Sequence, residues 1–136
     1  MSSENVELIR RAYEAYAGGD LDTMLRFIDP DVEWTYLDPN LSQPEPQVCR
    51  GRHEVENVLR LWNEQGLKAT LEEVAGTGER VMVGVRAPGS GAYYGRPGQD
   101  RSYTVLTVRD DRIVAMRDCR DRQDALEVAG FEAGTK

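Results

Sequence analysis

The sequence predicts an α+β fold, a curved and mostly antiparallel sheet wrapped around helices with an internal apolar pocket. Three observations lead there. Helical periodicity opens the chain, recurs after residue 51 and returns at the end. Between residues 67 and 120, four runs read as strands. Glycines or paired aspartates stand where those runs must turn. At 136 residues, 40% of them hydrophobic, the chain is one domain over 1–136, large enough for a core without staples.

Residues 3–17 place Val6, Ile9, Tyr13 and Tyr16 on one helical stripe, with Ser3 as N-cap and Gly18-Gly19 as the stop. Asp20 caps a second helix whose stripe is Leu21, Met24, Leu25 and Ile28, and Pro30 ends it. Asp31 to Leu37 alternates as a half-buried strand, with Val32, Trp34 and Tyr36 facing inward. Residues 38–50 carry three prolines and read as an irregular loop, a lid or mouth beside that strand. A third helix opens at Gly51, buries Val55, Val58, Leu59 and Trp62, and closes at Gly66. The four strands that follow are 67–75, 80–87, 101–109 and 112–120, with the glycine-rich hairpin 88–100 carrying Tyr93 and Tyr94 near its tip. Asp121 caps a last helix from Arg122 to Ala129, ended by Gly130.

Charge limits the partners. Seventeen Lys and Arg against 24 Asp and Glu give a formal charge of −7, and no basic patch stands out to release counterions from nucleic acid or meet an anionic membrane. The opening Met-Ser-Ser-Glu-Asn has neither a basic nor an apolar leader region, and no apolar run is long enough to span a bilayer. A soluble, cytoplasmic protein is the expectation. Cys49 and Cys119 form no CxxC pair and read as two separate, partly buried thiols, with a bridge between them as the alternative. A single histidine, His53 in the first turn of helix three, supplies no metal-ligand set, so no metal or cofactor is expected.

The chemistry centres on 112–121. By the period of two, Val114, Met116 and Asp118 share one face of the strand, and Ile113, Ala115, Arg117 and Cys119 the other. A carboxylate in line with two apolar residues must be paired, hydrogen-bonded or protonated, because its charged form loses hydration. Asp118 is therefore the candidate general acid/base, and Tyr36 a hydrogen-bond donor beside it. Trp34, Val114, Met116, Tyr13 and Trp62 are the candidate binding residues for a small apolar molecule. The competing reading makes Asp118 structural, paired with Arg86, Arg117 or Arg120 or bonded to a tyrosine.

Four stretches resemble the SnoaL-like proteins of the nuclear transport factor 2-like superfamily: Tyr13 through Trp34, Cys49 through Val55, Val108 through Val114, and Arg117 through Gly130. The resemblance implies a cone-shaped roll with an apolar pocket and a homodimer through the outer face of the sheet. It is also similar at 116–121 to limonene epoxide hydrolase, whose catalytic aspartate falls on Asp118 and whose water-positioning residues fall on Trp34 and Tyr36. That enzyme's Arg-x-Asp pair falls near Val85 and Ala87, leaving its set incomplete. The catalytic tyrosine and base of steroid delta-isomerase fall on Ala12 and Tyr36, and its second aspartate near Val105, so that mechanism lacks its parts. Asp118 lies near the acid/base aspartate of the polyketide cyclases. The resemblance thus implies a cofactor-free isomerase or cyclase, with a non-catalytic binding module and an epoxide hydrolase-like enzyme as alternatives.

Overall fold

Apolar spacing sets the helices. In the computed structural model, which describes residues 2–37, 46–64, 70–86, 101–119 and 122–130, α1 runs Ser2–Ala17 and buries Leu8, Ile9, Ala12 and Tyr16. It begins at Ser2, so Ser3 lies inside the first turn and not at the cap. Gly19 takes the left-handed conformation (φ +83°) in which the backbone N–H groups of Gly18, Gly19 and Asp20 return to carbonyls of the last turn. The Asp20 side chain then accepts from the Thr23 N–H at 3.2 Å and from its hydroxyl at 2.6 Å, capping α2, Leu21–Arg26. This helix is shorter than expected. Ile28, placed on its stripe from sequence, instead begins β1 (Ile28–Leu37) and is fully buried there.

Residues 46–50 are not loop. They form β2 (Pro46–Arg50), antiparallel to β1 with Trp34 opposite Cys49; 38–45 lie outside the described residues. Then come α3 (Arg52–Glu64), β3 (Thr70–Thr77), β4 (Arg80–Arg86), β5 (Arg101–Arg109), β6 (Arg112–Cys119) and α4 (Arg122–Ala129). Gly66, Asp121 and the 88–100 hairpin with Tyr93 and Tyr94 also fall outside the described residues. The sheet has the order β2-β1-β6-β5-β4-β3, antiparallel except that β1 runs parallel to β6. Asp110 and Asp111 turn β5 into β6 at φ 52° and 62°, as a two-residue hairpin demands. This is the curved α+β roll that the sequence predicts.

The two faces of the sheet hold separate clusters. On the inner face Val81, Val83, Leu106, Val108, Ile113 and Met116 pack with α1, α2 and α3. On the outer face Met82, Val105 and Cys119 pack beneath Ala125 and Ala129 of α4. The helices are therefore not all gathered on one side. Covering on both faces explains why β4 is buried without a break from Val81 to Val85. Arg122 clamps the start of α4 by donating to both carboxylate oxygens of Glu73, at 2.8 Å to Oε2, and Arg80 donates to the Val128 carbonyl at 2.8 Å near its end. Among the described residues no helix is long and apolar enough to cross a membrane.

One glycine in the sheet is there for space. Gly84 lies opposite Tyr103, and a Cβ added to it would stand 2.8 Å from that ring's Cε1 and 3.4 Å from the Glu73 Cβ. Gly84→Ala is expected to destabilise by about 1–3 kcal/mol, the usual cost of overpacking. Urea unfolding measures it; an unchanged midpoint would mean that the ring swings away freely.

Candidate functional site

A β-bulge decides which side chains of β6 face inward. Thr107 pairs with Ala115 but Val108 pairs with Ile113, so Val114 is an extra residue in the ladder. The bulge lets Ile113, a residue the period of two assigned to the opposite face, pack in the same cluster as Met116. Val114 is half-buried at the bulge, and its expected place in the inner row belongs to Ile113. Beyond the bulge alternation resumes. Asp118 follows Met116 on the inner face and is half-buried opposite Thr104.

Two donors converge on one carboxylate oxygen. Trp34 Nε1 donates to Asp118 Oδ1 at 3.0 Å, and Thr104 Oγ1 donates to the same atom at 3.1 Å. The ladder explains the first contact: Trp34 pairs with Met116 across the parallel β1–β6 seam, which puts its indole one step from Asp118. Tyr13 arrives from α1, close enough to Asp118 and Thr104 for both to act on its phenol. Burial, and then the negative charge of Asp118, push the Tyr13 phenol far above its ordinary value, so it is a neutral hydroxyl at any physiological pH. Burial raises Tyr16 as well. Cys49, across the β1–β2 ladder from Trp34, is held protonated by burial and by the charges of Glu54 and Asp118.

Of the residues singled out from sequence, the structure brings Asp118, Trp34, Met116 and Tyr13 together. Tyr36 stands two residues beyond Trp34 on β1, paired with Gln47, and Trp62 lies near the end of α3; their side chains are outside the described set. Arg86 donates to Glu72 at 2.9 Å, and Arg101 donates to the same carboxylate at 2.8 Å. Both cysteines are buried and unbridged, on opposite faces of the sheet, and His53 is exposed. Among the described residues no group of three His, Cys, Asp or Glu side chains could hold a metal. Sequence reasoning missed Thr104, for which the only signal is the hairpin register.

Three protons here are held more tightly by the folded chain than by the unfolded one: those of Tyr13, Tyr16 and Cys49. Unfolded, the thiol titrates near about 8.5 and the phenols near about 10. Above those values the native state binds more protons than the unfolded one, so stability falls as pH rises. Thermal melts should hold steady in neutral buffer and decline progressively above about pH 9, and Tyr13→Phe should flatten the decline above about pH 10.

The arrangement can accept a proton at a half-buried carboxylate flanked by a donor-only indole and two hydroxyls. Comparison with known proteins agrees with the architecture. The SnoaL-like domain family matches residues 9–116. No curated protein matches the chain in sequence. Solved structures with the same fold include a candidate polyketide cyclase from Sinorhizobium meliloti, 14% identical with a TM-score of 0.64 over 88% of this chain and 100% of that one. An NTF2-like protein of unknown function from Burkholderia pseudomallei is 23% identical, with a TM-score of 0.62 over 96% and 99%. TerC, co-crystallized with polyporic acid, is 20% identical, with a TM-score of 0.63 over 86% and 91%.

Proposed function

We propose that this chain, which belongs to the SnoaL-like domain family of the nuclear transport factor 2-like superfamily, binds a small, largely apolar carbonyl compound in a pocket on the inner face of its sheet and moves a proton on it, as a cofactor-free isomerase or cyclase. One observation carries the reading: Asp118 is half-buried on the inner face of the sheet, next to Met116 in the row and bonded at Oδ1 by Trp34 and Thr104. In this reading the Asp118 carboxylate takes the proton from the carbon next to the ligand carbonyl, and the C–H electron pair moves onto the carbonyl oxygen. Return of the proton to another carbon completes an isomerisation, and attack of the enolate carbon on a second carbonyl closes a ring. Trp34 and Met116 supply apolar walls, and a phenol, Tyr13 or Tyr36, bonds the ligand oxygen. The neighbouring candidate polyketide cyclase and TerC with its polyporic acid support a ligand of this kind.

The experiment is deuterium exchange. The protein is incubated in D2O with a panel of aryl ketones and β-keto esters, and loss of the α-proton signal is followed by NMR. Acceleration over the buffer rate supports proton transfer. The same hydrogen bonds favour a second reading, in which Asp118 is a strut in a non-catalytic ligand-binding module. Ligand-induced shifts in the protein spectrum without faster exchange would select that one. Neither response would sink both.

A further inference from the structure

The inner row of β5 runs Thr104, Leu106, Val108. Leu106 and Val108 are buried in the inner cluster, and Val83, opposite Thr104 on β4, belongs to the same cluster. The pattern asks for valine at 104. Threonine has valine's branched shape with one methyl exchanged for a hydroxyl, so the hydroxyl adds little to packing and needs a hydrogen-bond partner. It has one on the next strand. Thr104 lies opposite Asp118 in the β5–β6 ladder, and its Oγ1 donates to Oδ1 at 3.1 Å.

Asp118 is thereby held from both flanks. Its strand, β6, runs between β1 and β5, and the Trp34 indole reaches Oδ1 from β1 at 3.0 Å as Thr104 reaches it from β5. The last torsion of an aspartate is broad, so one donor fixes a point of the carboxylate, and a second from the opposite strand also fixes its tilt. Both bonds strengthen with the negative charge and favour the ionised form, against the desolvation that a place on the inner face imposes. We infer that Thr104 is a positioning residue for Asp118, its hydroxyl acting with the Trp34 indole to hold the carboxylate in one orientation and in the charged form that accepts a proton. The β-branch of threonine stiffens χ1 and so aims the hydroxyl. The bulge at Val114 is what sets residue 104 across from residue 118.

The inference rests on the reading of Asp118 as the proton-transfer group. Thr104 takes no part in making or breaking bonds: the ligand proton passes to the Asp118 carboxylate and the electron pair to the ligand oxygen with or without the hydroxyl. What the hydroxyl changes is the ionised fraction of Asp118 and its alignment. A packing role and a positioning role therefore rank two variants in opposite order. Thr104→Val keeps the branched shape and loses the donor, whereas Thr104→Ser keeps the donor and loses a methyl.

The first measurement needs no ligand. The Asp118 carboxyl carbon is followed by 13C NMR from about pH 3 to 8 in the wild type and the variants. Tyr13 and Cys49, which feel the Asp118 charge from α1 and β2, keep their protons throughout that range. In Thr104→Val the midpoint should rise by about one pH unit, the effect of losing a charge-assisted bond, while Thr104→Ser should titrate as the wild type does. Thr104→Ala, which lacks the hydroxyl without adding bulk, should shift as the valine variant does and serves if that one folds poorly. The second measurement is α-proton exchange of an aryl ketone in D2O. Its pH profile should move with the carboxyl midpoint, so that below the wild-type midpoint Thr104→Val is slower by about three- to tenfold and Thr104→Ser is not. A midpoint unmoved in both donor-less variants, or moved as far in Thr104→Ser, would overturn the inference even where exchange is fast. The expected midpoints in a protein that exchanges no α-proton would overturn the proposed reaction instead, and leave Thr104 as the support of the Asp118 charge.

Discussion

Asp118→Asn is expected to lower α-proton exchange by about 10²- to 10⁴-fold, the range over which a positioned general base accelerates proton transfer. An amide has essentially no basicity at neutral pH, so the reacting atom is lost outright. The fold should tolerate the change. The asparagine carbonyl can sit where Oδ1 sits and keep the bonds from Trp34 and Thr104, although each falls from charge-assisted to neutral strength. Loss of stability of about 1 kcal/mol or less is expected, because a half-buried charge is removed together with its desolvation cost. Ligand affinity should change by no more than a few-fold, since the apolar walls remain. That split between exchange and binding is the diagnostic result. Exchange rates equal to those of the wild type would remove Asp118 from the chemistry, and a matched loss of binding and exchange would make it a ligand contact only.

The pH profile adds a second check on the same variant. If ionised Asp118 is the base, wild-type exchange rises with pH through the midpoint seen for its carboxyl carbon and then levels off. The residual rate of the asparagine variant should lack that step. Tyr13 contributes no step near neutrality, since it keeps its proton far beyond that range.

The elements of this fold were legible because their signals are local. Alternation in β5 and β6, the paired aspartates between them, the α1 stripe and the Asp20 cap each depend on residues a few positions apart. The inward direction of Asp118 was legible as well, from Met116 two residues before it. What was not legible depends on register. With an unbulged hairpin around Asp110 and Asp111, Tyr103 would lie opposite Asp118, and the carboxylate would face outward with Val105. The extra residue at Val114 moves Thr104 into that place and turns Ile113 and Met116 to the same side. Nothing in the period of two marks a bulge; the structure explains it by the burial of both apolar residues. The β2 strand was hidden for a different reason. It is five residues long and follows a proline-rich run, so it has little pattern of its own and is defined by pairing with β1. The placement of α4 on the outer face needed knowledge of Arg122 with Glu73 and Arg80 with Val128, contacts that span nearly fifty residues.

Trp34→Phe should be the most costly conservative change at the site, destabilising the protein by about 2–4 kcal/mol at neutral pH. Two effects add. The indole is almost fully buried in the inner cluster, and exchanging it for a smaller ring leaves a void that only partly collapses. The variant also removes the N–H that donates to Asp118 Oδ1 at 3.0 Å, a bond to a charged group worth about 1.5–3 kcal/mol. The two are separable by pH. Donation to the carboxylate favours its charged form, so the bond's contribution exists where Asp118 is ionised and fades as acid protonates it. Removing the donor raises the native pKa of Asp118 relative to the wild type. The deficit of the variant should therefore be largest at neutral pH and shrink in acid to the packing part alone. Urea unfolding of both proteins at about pH 7 and pH 3 measures it. A deficit of equal size at both pH values would assign the whole effect to packing and leave the indole N–H without influence on Asp118.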